Sequence, residues 1–467
     1  MKPNLWPIRT GQKHAPWIWV FLLSGPWAAK LYFEQISQVA ITFKLSEFTN
    51  VPALITAVGS FNLLFNIFVG ATCNYSSDRV WTRWGRRKPF LLVGWGTIAI
   101  GCIILPQIST LWLLITALFF YEMLRDVDNP AESLINEVVP PKQRGRSQAT
   151  MTFVREALKV LFFAVLIGRW DEVYHLPFLG TVTGDKAVFW TGTVIALGTM
   201  AFVGFGIKET PPAVLPPKSP PLTVARVWTL GRDFVRNVFG EPQWRPIYAV
   251  AVSQMIFWIG FGSLTPLLFT EEWGLSKQTY GNIIALGSPF VLLICLPLGG
   301  WISDRLDRLV LYKILAAGVT ACHLVFFVYL KLRVGDDASP PFGAILTYWL
   351  IHTGIGSIGV VCTVSMMFDF VPRHRLGTVS AGIGITRGVA SIFVNNGIGL
   401  WVTGASHFSG EAAVGTYDYE SGFLYLVGCG CLSTWVAFWF ARQVNSGRIK
   451  KLGVLEAEQA DPAAPLP

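Results

Sequence analysis

The sequence predicts an all-α polytopic membrane protein, with twelve transmembrane helices in two pseudo-symmetric six-helix bundles. Three observations predict it. The chain of 467 residues is 52% hydrophobic and only 14% charged, with 19 Trp and 33 Phe, where soluble domains carry roughly 25% charged residues. Its apolar runs have the length of spans of ~20 residues. Its positive charge is sorted by loop. Alternate loops and the two ends hold 25 of the 37 Lys and Arg; the other loops hold six (Lys44, Arg169, Lys186, Lys277, Lys331, Arg333), and six lie inside spans. This is the positive-inside pattern, and it puts both termini in the cytoplasm of a protein of the cell membrane, plasma or bacterial inner.

Apolar periodicity places spans 1 to 12 at about 17–43, 50–73, 89–108, 111–138, 149–168, 187–207, 246–270, 279–300, 309–332, 342–368, 378–403 and 421–441. Lys2, Arg9 and Lys13 precede a first span with no cleavage pattern, so that span is expected to stay. The domains follow: an N-terminal bundle at 1–207, a cytoplasmic linker at 208–245, a C-terminal bundle at 246–442 and a disordered Ala/Pro/acid-rich tail at 443–467. The linker opens on prolines (Pro211, Pro212, Pro216, Pro217, Pro220, Pro221). It continues as Leu222 to Phe239, with Val227, Leu230, Phe234 and Val238 at helical spacing among Arg226, Arg232 and Arg236. That pattern is an amphipathic helix for the inner leaflet.

Several function classes are excluded. A net charge of +9 split by membrane side is not a nucleic-acid face. The seven cysteines lie in apolar runs and behave as small buried hydrophobes, not as disulfides or metal ligands. No Walker loop, metalloprotease motif or nucleophile elbow occurs, so neither ATP hydrolysis nor another catalytic constellation is expected, and no cofactor or metal. Gly382-Ile-Gly384 fits close helix packing.

Between spans 2 and 3 stands YSSDRVWTRWGRRKPF, Tyr75 to Phe90, with Asp78, Arg79, Arg83, Gly85, Arg86, Arg87 and Lys88. A knot of five cations between apolar runs belongs in a short loop beside anionic headgroups. The halves repeat. Ser77-Asp78-Arg79 is echoed by Ser303-Asp304-Arg305 at an offset of 226, and Glu137-Val-Val-Pro140, Gly145, Ala149 and Arg155 by Asp369-Phe-Val-Pro372, Gly377, Ala381 and Arg387 at one constant offset of 232 residues. A site at the interface of two such halves is a common transporter plan.

Ionisable residues inside spans mark ion pairs or a pathway. On span 4, Glu122, Arg125, Asp126, Asp128, Asn129 and Glu132 fall within about 160° of arc, opposite Leu124 and Val127. Two readings stand: a salt-bridge cluster with Arg155, Glu156 and Lys159 of span 5, or a charged face lining a hydrated cavity. Lys30 and Glu34 lie one turn apart on span 1 beside Tyr32, either as an intrahelical pair or as substrate and proton groups. Arg155 and Arg387 lie ~12–14 Å inside their spans by helical rise, at pseudo-symmetric places. His323 and His352 are mid-span histidines, read as packing groups or as a proton relay. Trp258 and other aromatics serve packing, the interfacial belt or a sugar-stacking face.

These motifs resemble the major facilitator superfamily, and within it the glycoside–pentoside–hexuronide:cation symporters such as melibiose permease, with the plant sucrose/proton symporters. The resemblance rests on the Tyr75 to Phe90 loop, on Asp128-Asn-Pro130 through Glu137 to Arg155, and on Asp369-Phe-Val, Gly377 and Arg387-Gly388. It implies that Asp128 and Arg155 contact sugar and that Arg387, where the family usually has Lys, makes a gating or site contact. It also implies that the Asp78, Asp304, Glu137 and Asp369 motifs latch the inner side. Sodium-coupled members carry paired aspartates on span 2 where this chain has approximately Asn66 and Gly70. A hard cation wants several oxygen ligands, so the proton is the expected coupling ion. The expected function is sugar or glycoside:proton symport by alternating access, in a monomer. Its substrate and proton residues are Lys30, Tyr32, Glu34, Glu122, Arg125, Asp126, Asp128, Arg155, Lys159, Trp258, His352 and Arg387. The alternatives are the same scaffold carrying another solute (a lysolipid, drug or peptidoglycan fragment) and a non-transporting membrane sensor.

Overall fold

The computed structural model describes residues 8–9, 16–77, 81–131, 134, 138–139, 143–177, 180–210, 224–333, 339–371, 376–410 and 416–451. The described chain is helical almost throughout, as its long apolar runs require when backbone polar groups have no water to bond. Seven helical stretches among the described residues are long and apolar enough to cross a membrane: Pro52–Gly70, Lys88–Gln107, Gly184–Gly206, Lys277–Arg305, Arg308–Leu332, Phe342–Thr363 and Tyr419–Asn445. The protein is therefore an integral, multi-pass membrane protein. Helix also covers Trp17–Gln35, Leu111–Arg125, Arg144–Leu161, Arg245–Ile259 and Leu376–Ser409. The first three of these carry the intramembrane charges of spans 1, 4 and 5. The span numbers are kept below as labels for these stretches.

Several spans are not regular. Spans 1 and 7 each widen into a π turn, at Ile36–Ala40 and Leu268–Glu272, at the same 232-residue offset as the sequence echo. Spans 2 and 8 do so at Asn66–Gly70 and Val291–Cys295. Such turns carry an extra residue and are common at functional sites. Span 4 tightens at Asp126–Asp128 into a 3-10 turn just before Pro130, where a helical N–H is lost to the proline ring.

Two short strand pairs interrupt the helices, and periodicity gave no sign of them. Ile8–Arg9 runs parallel to Ile207–Lys208 at the end of span 6. Val173–Leu176 pairs antiparallel with Gly180–Thr183 between spans 5 and 6.

The chain divides into two compact units. The first comprises residues 1–220, 263–288 and 413–417, so it takes in the adjoining ends of spans 7 and 8. The second comprises 221–262, 289–412 and 418–467. Its core packs Trp244, Ile247, Tyr312, Met366, Phe370 and Phe440. The linker helix forms at Val224–Phe239; its Phe234 and Val235 are exposed, while Val238 is buried and accepts a hydrogen bond from the Tyr248 hydroxyl at 2.8 Å.

Candidate functional site: a buried charge cluster and its neighbours

The polar centre of the first unit is Arg125. It lies in the last turn of Leu111–Arg125, 7% exposed. Its Nη1 donates to Ser37 Oγ of span 1 at 2.5 Å, and its Nη2 to Asn62 Oδ1 of span 2 at 2.5 Å. The same guanidinium pairs with Glu122 Oε2 at 3.2 Å and Asp126 Oδ1 at 3.4 Å. Glu122 and Asp126 are each 3% exposed. A fixed planar fork with five donors suits such a four-way contact, which a lysine could not make. The cluster therefore joins span 4 to spans 1 and 2; the partners foreseen on span 5 are not the ones it uses.

Asp128, also buried, accepts from Trp95 Nε1 of span 3 at 3.1 Å. Lys30 is half-buried, and its charge acts on both Asp126 and Asp128. Glu34 is exposed on the same helix and its charge acts on Lys159. On span 5, Arg155 Nη2 meets Glu156 Oε1 at 3.1 Å, with the Arg155 side chain 34% exposed and that of Glu156 10%. Tyr32 is buried, and its hydroxyl donates to Val188 O of span 6 at 2.9 Å; this is a packing role within the bundle.

The wall of this unit opposite the Trp81–Lys88 loop is closed by the adjoining ends of spans 7 and 8. Lys277 Nζ lies 2.7 Å from Asp171 Oδ1 and sits over the rings of Phe43 and Trp170, at 5.2 and 5.6 Å. Gln278 donates to Ala164 O at 3.2 Å, and Tyr280 meets the edges of Phe43 and Phe163. Gly281 permits the approach: a Cβ there would lie 2.2 Å from Phe163 O. Nothing in the hydrophobic pattern singled out this contact; the only trace was that Lys277 stands in a loop poor in cations.

At the other end, the loop before span 3 is held by a residue the motif reading missed. Glu209, just past span 6, accepts from three successive backbone amides: Arg86 N at 2.9 Å, Arg87 N at 3.2 Å and Lys88 N at 3.0 Å. It thus caps the N-terminus of Lys88–Ile104, where an anion is stabilised by unpaired N–H groups. Gly85 makes the turn with φ 115°, a region that favours glycine. Lys88 Nζ donates to Gly204 O at 3.0 Å, and Arg83 lies over Trp84 at 5.4 Å. Asp78, Arg79, Glu132 and Glu137 lie outside the described residues, as does the side chain of Trp258.

In the second unit, Asp369 is gripped by Arg308 Nη1 at 2.8 and 2.9 Å to its two oxygens. Arg308 also reaches Asp304 at 4.0 Å, while Arg305 lies over Trp301 at 4.4 Å. The motif acids therefore share Arg308, a residue the sequence echo did not include although it stands four places after Asp304. Arg387 donates to Gln254 Oε1 of span 7 and leaves its buried Nε without a partner among the described residues. His352 packs against His323 and Tyr348. No group of three or more potential metal ligands occurs among the described residues.

The sequence model described as Major Facilitator Superfamily matches residues 33–395. No curated protein matches the chain significantly. Solved structures similar to it include a D-xylose-proton symporter (15% identity, 91% of this chain, 97% of that one, TM-score 0.63). They also include a bacterial homolog of the human lysosomal transporter Spinster, inward-facing and unoccupied (14%, 91% and 97%, 0.64). A third is the peptide transporter POT in complex with sulfate (14%, 95% and 98%, 0.63). At these identities the likeness is one of fold.

Proposed function

The chain belongs to the major facilitator superfamily, and from that premise we propose that this secondary transporter, which is not an enzyme, moves a small polar solute with a proton by alternating access. The observation that carries the proton is a charge count. Among the described groups that are buried or half-buried around Asp126, the cations Lys30 and Arg125 face the acids Glu122, Asp126 and Asp128. One negative charge is in surplus, and an unpaired charge in a buried cluster is strongly unfavourable. A proton neutralises it without a ligand cage.

Asp126 is the acid on which that proton belongs. Glu122 has Arg125 at 3.2 Å and Ser37 as a second partner. Asp128 has the Trp95 N–H. Among the described residues, Asp126 has a longer, 3.4 Å contact to Arg125 and the more distant charge of Lys30, with no hydroxyl or indole donor; its Oδ2, like Glu122 Oε2, is buried with no hydrogen-bond partner among them. Lys30, Glu34, Arg155 and Lys159, which are less buried, are the groups offered to the solute, with Asp128 behind them.

The wider solute reading is favoured over the sugar reading. The similar structures are named for a D-xylose symporter, a lysosomal-transporter homolog and a peptide transporter, and a face of mixed charge suits a solute bearing its own charges as well as one bearing hydroxyls. The narrower resemblance to the glycoside–pentoside–hexuronide symporters supports a sugar. Twelve spans, a monomer in the cell membrane and cytoplasmic termini complete the proposal. In that orientation the packed ends of spans 7 and 8 lie outside, and the loops of Glu209 and Asp369 lie inside.

The test is uptake into proteoliposomes of labelled sugars, dipeptides and lysolipids under an imposed proton or sodium gradient. Proton-driven accumulation of one of these, lost in Asp126→Asn while solute exchange without a gradient continues, is the expected result. Sodium-driven accumulation, or proton-driven accumulation that Asp126→Asn leaves intact, overturns the coupling assignment. Binding of a solute with no flux would favour a sensor.

A further inference from the structure

In the second unit two histidines from different spans meet inside a box of aromatic rings. His323 of span 9 is 1% exposed and His352 of span 10 is 7% exposed. Their ring centroids are 5.1 Å apart. The Tyr348 hydroxyl is 3.0 Å from His323 Nδ1, and the Tyr348 ring stacks on His352 at 5.9 Å. Phe326 and Phe423 close the box. Both Nε2 atoms are buried, and neither has a hydrogen-bond partner among the described residues. An imidazole presents a donor or an acceptor at that atom whatever its tautomer, and leaving it unmade in a buried site is costly. Two such atoms on touching rings point to something small that both bind.

The surroundings narrow what that is. The charge-bearing group acting on His323 is His352, burial alone acts on His352, and Cys322 acts on Tyr348. Span 12 contributes Phe423, and span 7 contributes Gly260. No carboxylate, lysine or arginine among the described residues acts on either ring. Two imidazoles and a phenol are too few donors for a closed metal site. They suffice for one proton and not two, because two imidazoliums at a ring separation of 5.1 Å repel.

Gly260 connects the pair to a break in the chain. It has φ +49°, and a side chain there would come within 3.3 Å of His352 Cε1 and 3.7 Å of its Nε2. It ends the helix Arg245–Ile259, and the α-helix resumes only at Thr265. Within that break the chain passes from the second compact unit to the first, between Gly262 and Ser263.

We propose that His323 and His352 form a second proton site, in which the adjacent rings together hold one exchangeable proton at a buried Nε2 and its presence is felt at the span 7 break. Tyr348 fixes the tautomer of His323. The proton comes from water and returns to water; only N–H bonds form and break. The site is independent of the Asp126 assignment and of which solute is carried.

The experiment is nitrogen NMR of the full chain in lipid nanodiscs, with 15N-labelled histidine rings, titrated from about pH 8 to about pH 5. His323→Gln and His352→Gln assign the two rings. The expected result is uptake of one proton by the pair, with the midpoint of either ring moved about tenfold in proton affinity when the other is replaced. Amide exchange at 260–262 should then change across the titration in the wild type and not in His352→Gln. Two rings that stay neutral throughout, or that take up two protons independently, overturn the shared site. Amide exchange at 260–262 that ignores the titration overturns its link to span 7. The wild-type proton count stands by itself if a variant fails to fold, and no solute is needed, so failure here leaves the Asp126 reading untouched.

Discussion

Arg125 and His323 are both buried inside a span, yet their surroundings are opposite. Around Arg125 stand two carboxylates, a hydroxyl and an amide from three spans. Around His323 stand rings, one phenol and a second histidine. Around Arg125 polarity is met by full charges, with acids outnumbering cations by one among the buried and half-buried groups described. Around His323 it is met by neutral groups, and the Nε2 of each histidine is left without a hydrogen-bond partner among the described residues. Fixed ion pairs hold helices in register but resist titration, because removing one partner strands the other. Groups with an unused lone pair or proton can change state at small cost. The spare capacity of the two regions thus sits on different chemistry.

The largest expected effect is on the balanced side. Arg125→Leu strands the Glu122 carboxylate in the interior and should cost about 3–5 kcal/mol, read as loss of folded, monodisperse protein or a large fall in thermal midpoint. Adding Glu122→Gln to that variant should recover part of the loss. If Arg125→Leu alone folds as well as the wild type, the cluster is hydrated and not the buried scaffold described here.

Next comes the closed wall. Gly281→Ala puts a methyl group against Phe163 O, and overpacking of this kind costs about 1–3 kcal/mol. The expected outcome is increased labelling of a cysteine placed at Lys277, with the protein still folded; unchanged labelling would mean that the ends of spans 7 and 8 are not held there. Glu209→Gln comes after it. It exchanges a carboxylate that caps three amides for a neutral acceptor and should cost about 1–2 kcal/mol, with faster proteolysis of the Trp81–Lys88 loop as the readout. The smallest effect is Lys277→Ala. Its Asp171 partner is 74% exposed, so the pair contributes at most about 1 kcal/mol, and the thermal midpoint should barely move.

The comparison also separates what the sequence made legible from what it hid. The polytopic class, the echo of spans 4 and 10 and the crowding of charge on span 4 were all legible, because apolar length and an ionisable residue in an apolar run each have a direct physical meaning. The pairing inside the cluster was not. Ser37 and Asn62 are ordinary polar residues with no periodic signature, and only the packing of spans 1 and 2 brings them to Arg125. Glu209 hid for the same reason: a lone acid after a span becomes a cap only when the loop 123 positions earlier folds back to it. His323 and His352 read as separate residues, since 29 positions of chain conceal that their rings touch.

The central claim is that Asp126 holds the surplus proton of the first unit. Infrared spectroscopy of the purified protein in lipid at neutral pH tests it without a solute, through the C=O stretch of a protonated carboxyl group. The account predicts such a band in the wild type and in Asp128→Asn, and its absence in Asp126→Asn. A band that survives Asp126→Asn, or a wild-type spectrum with no protonated carboxyl at all, would contradict it.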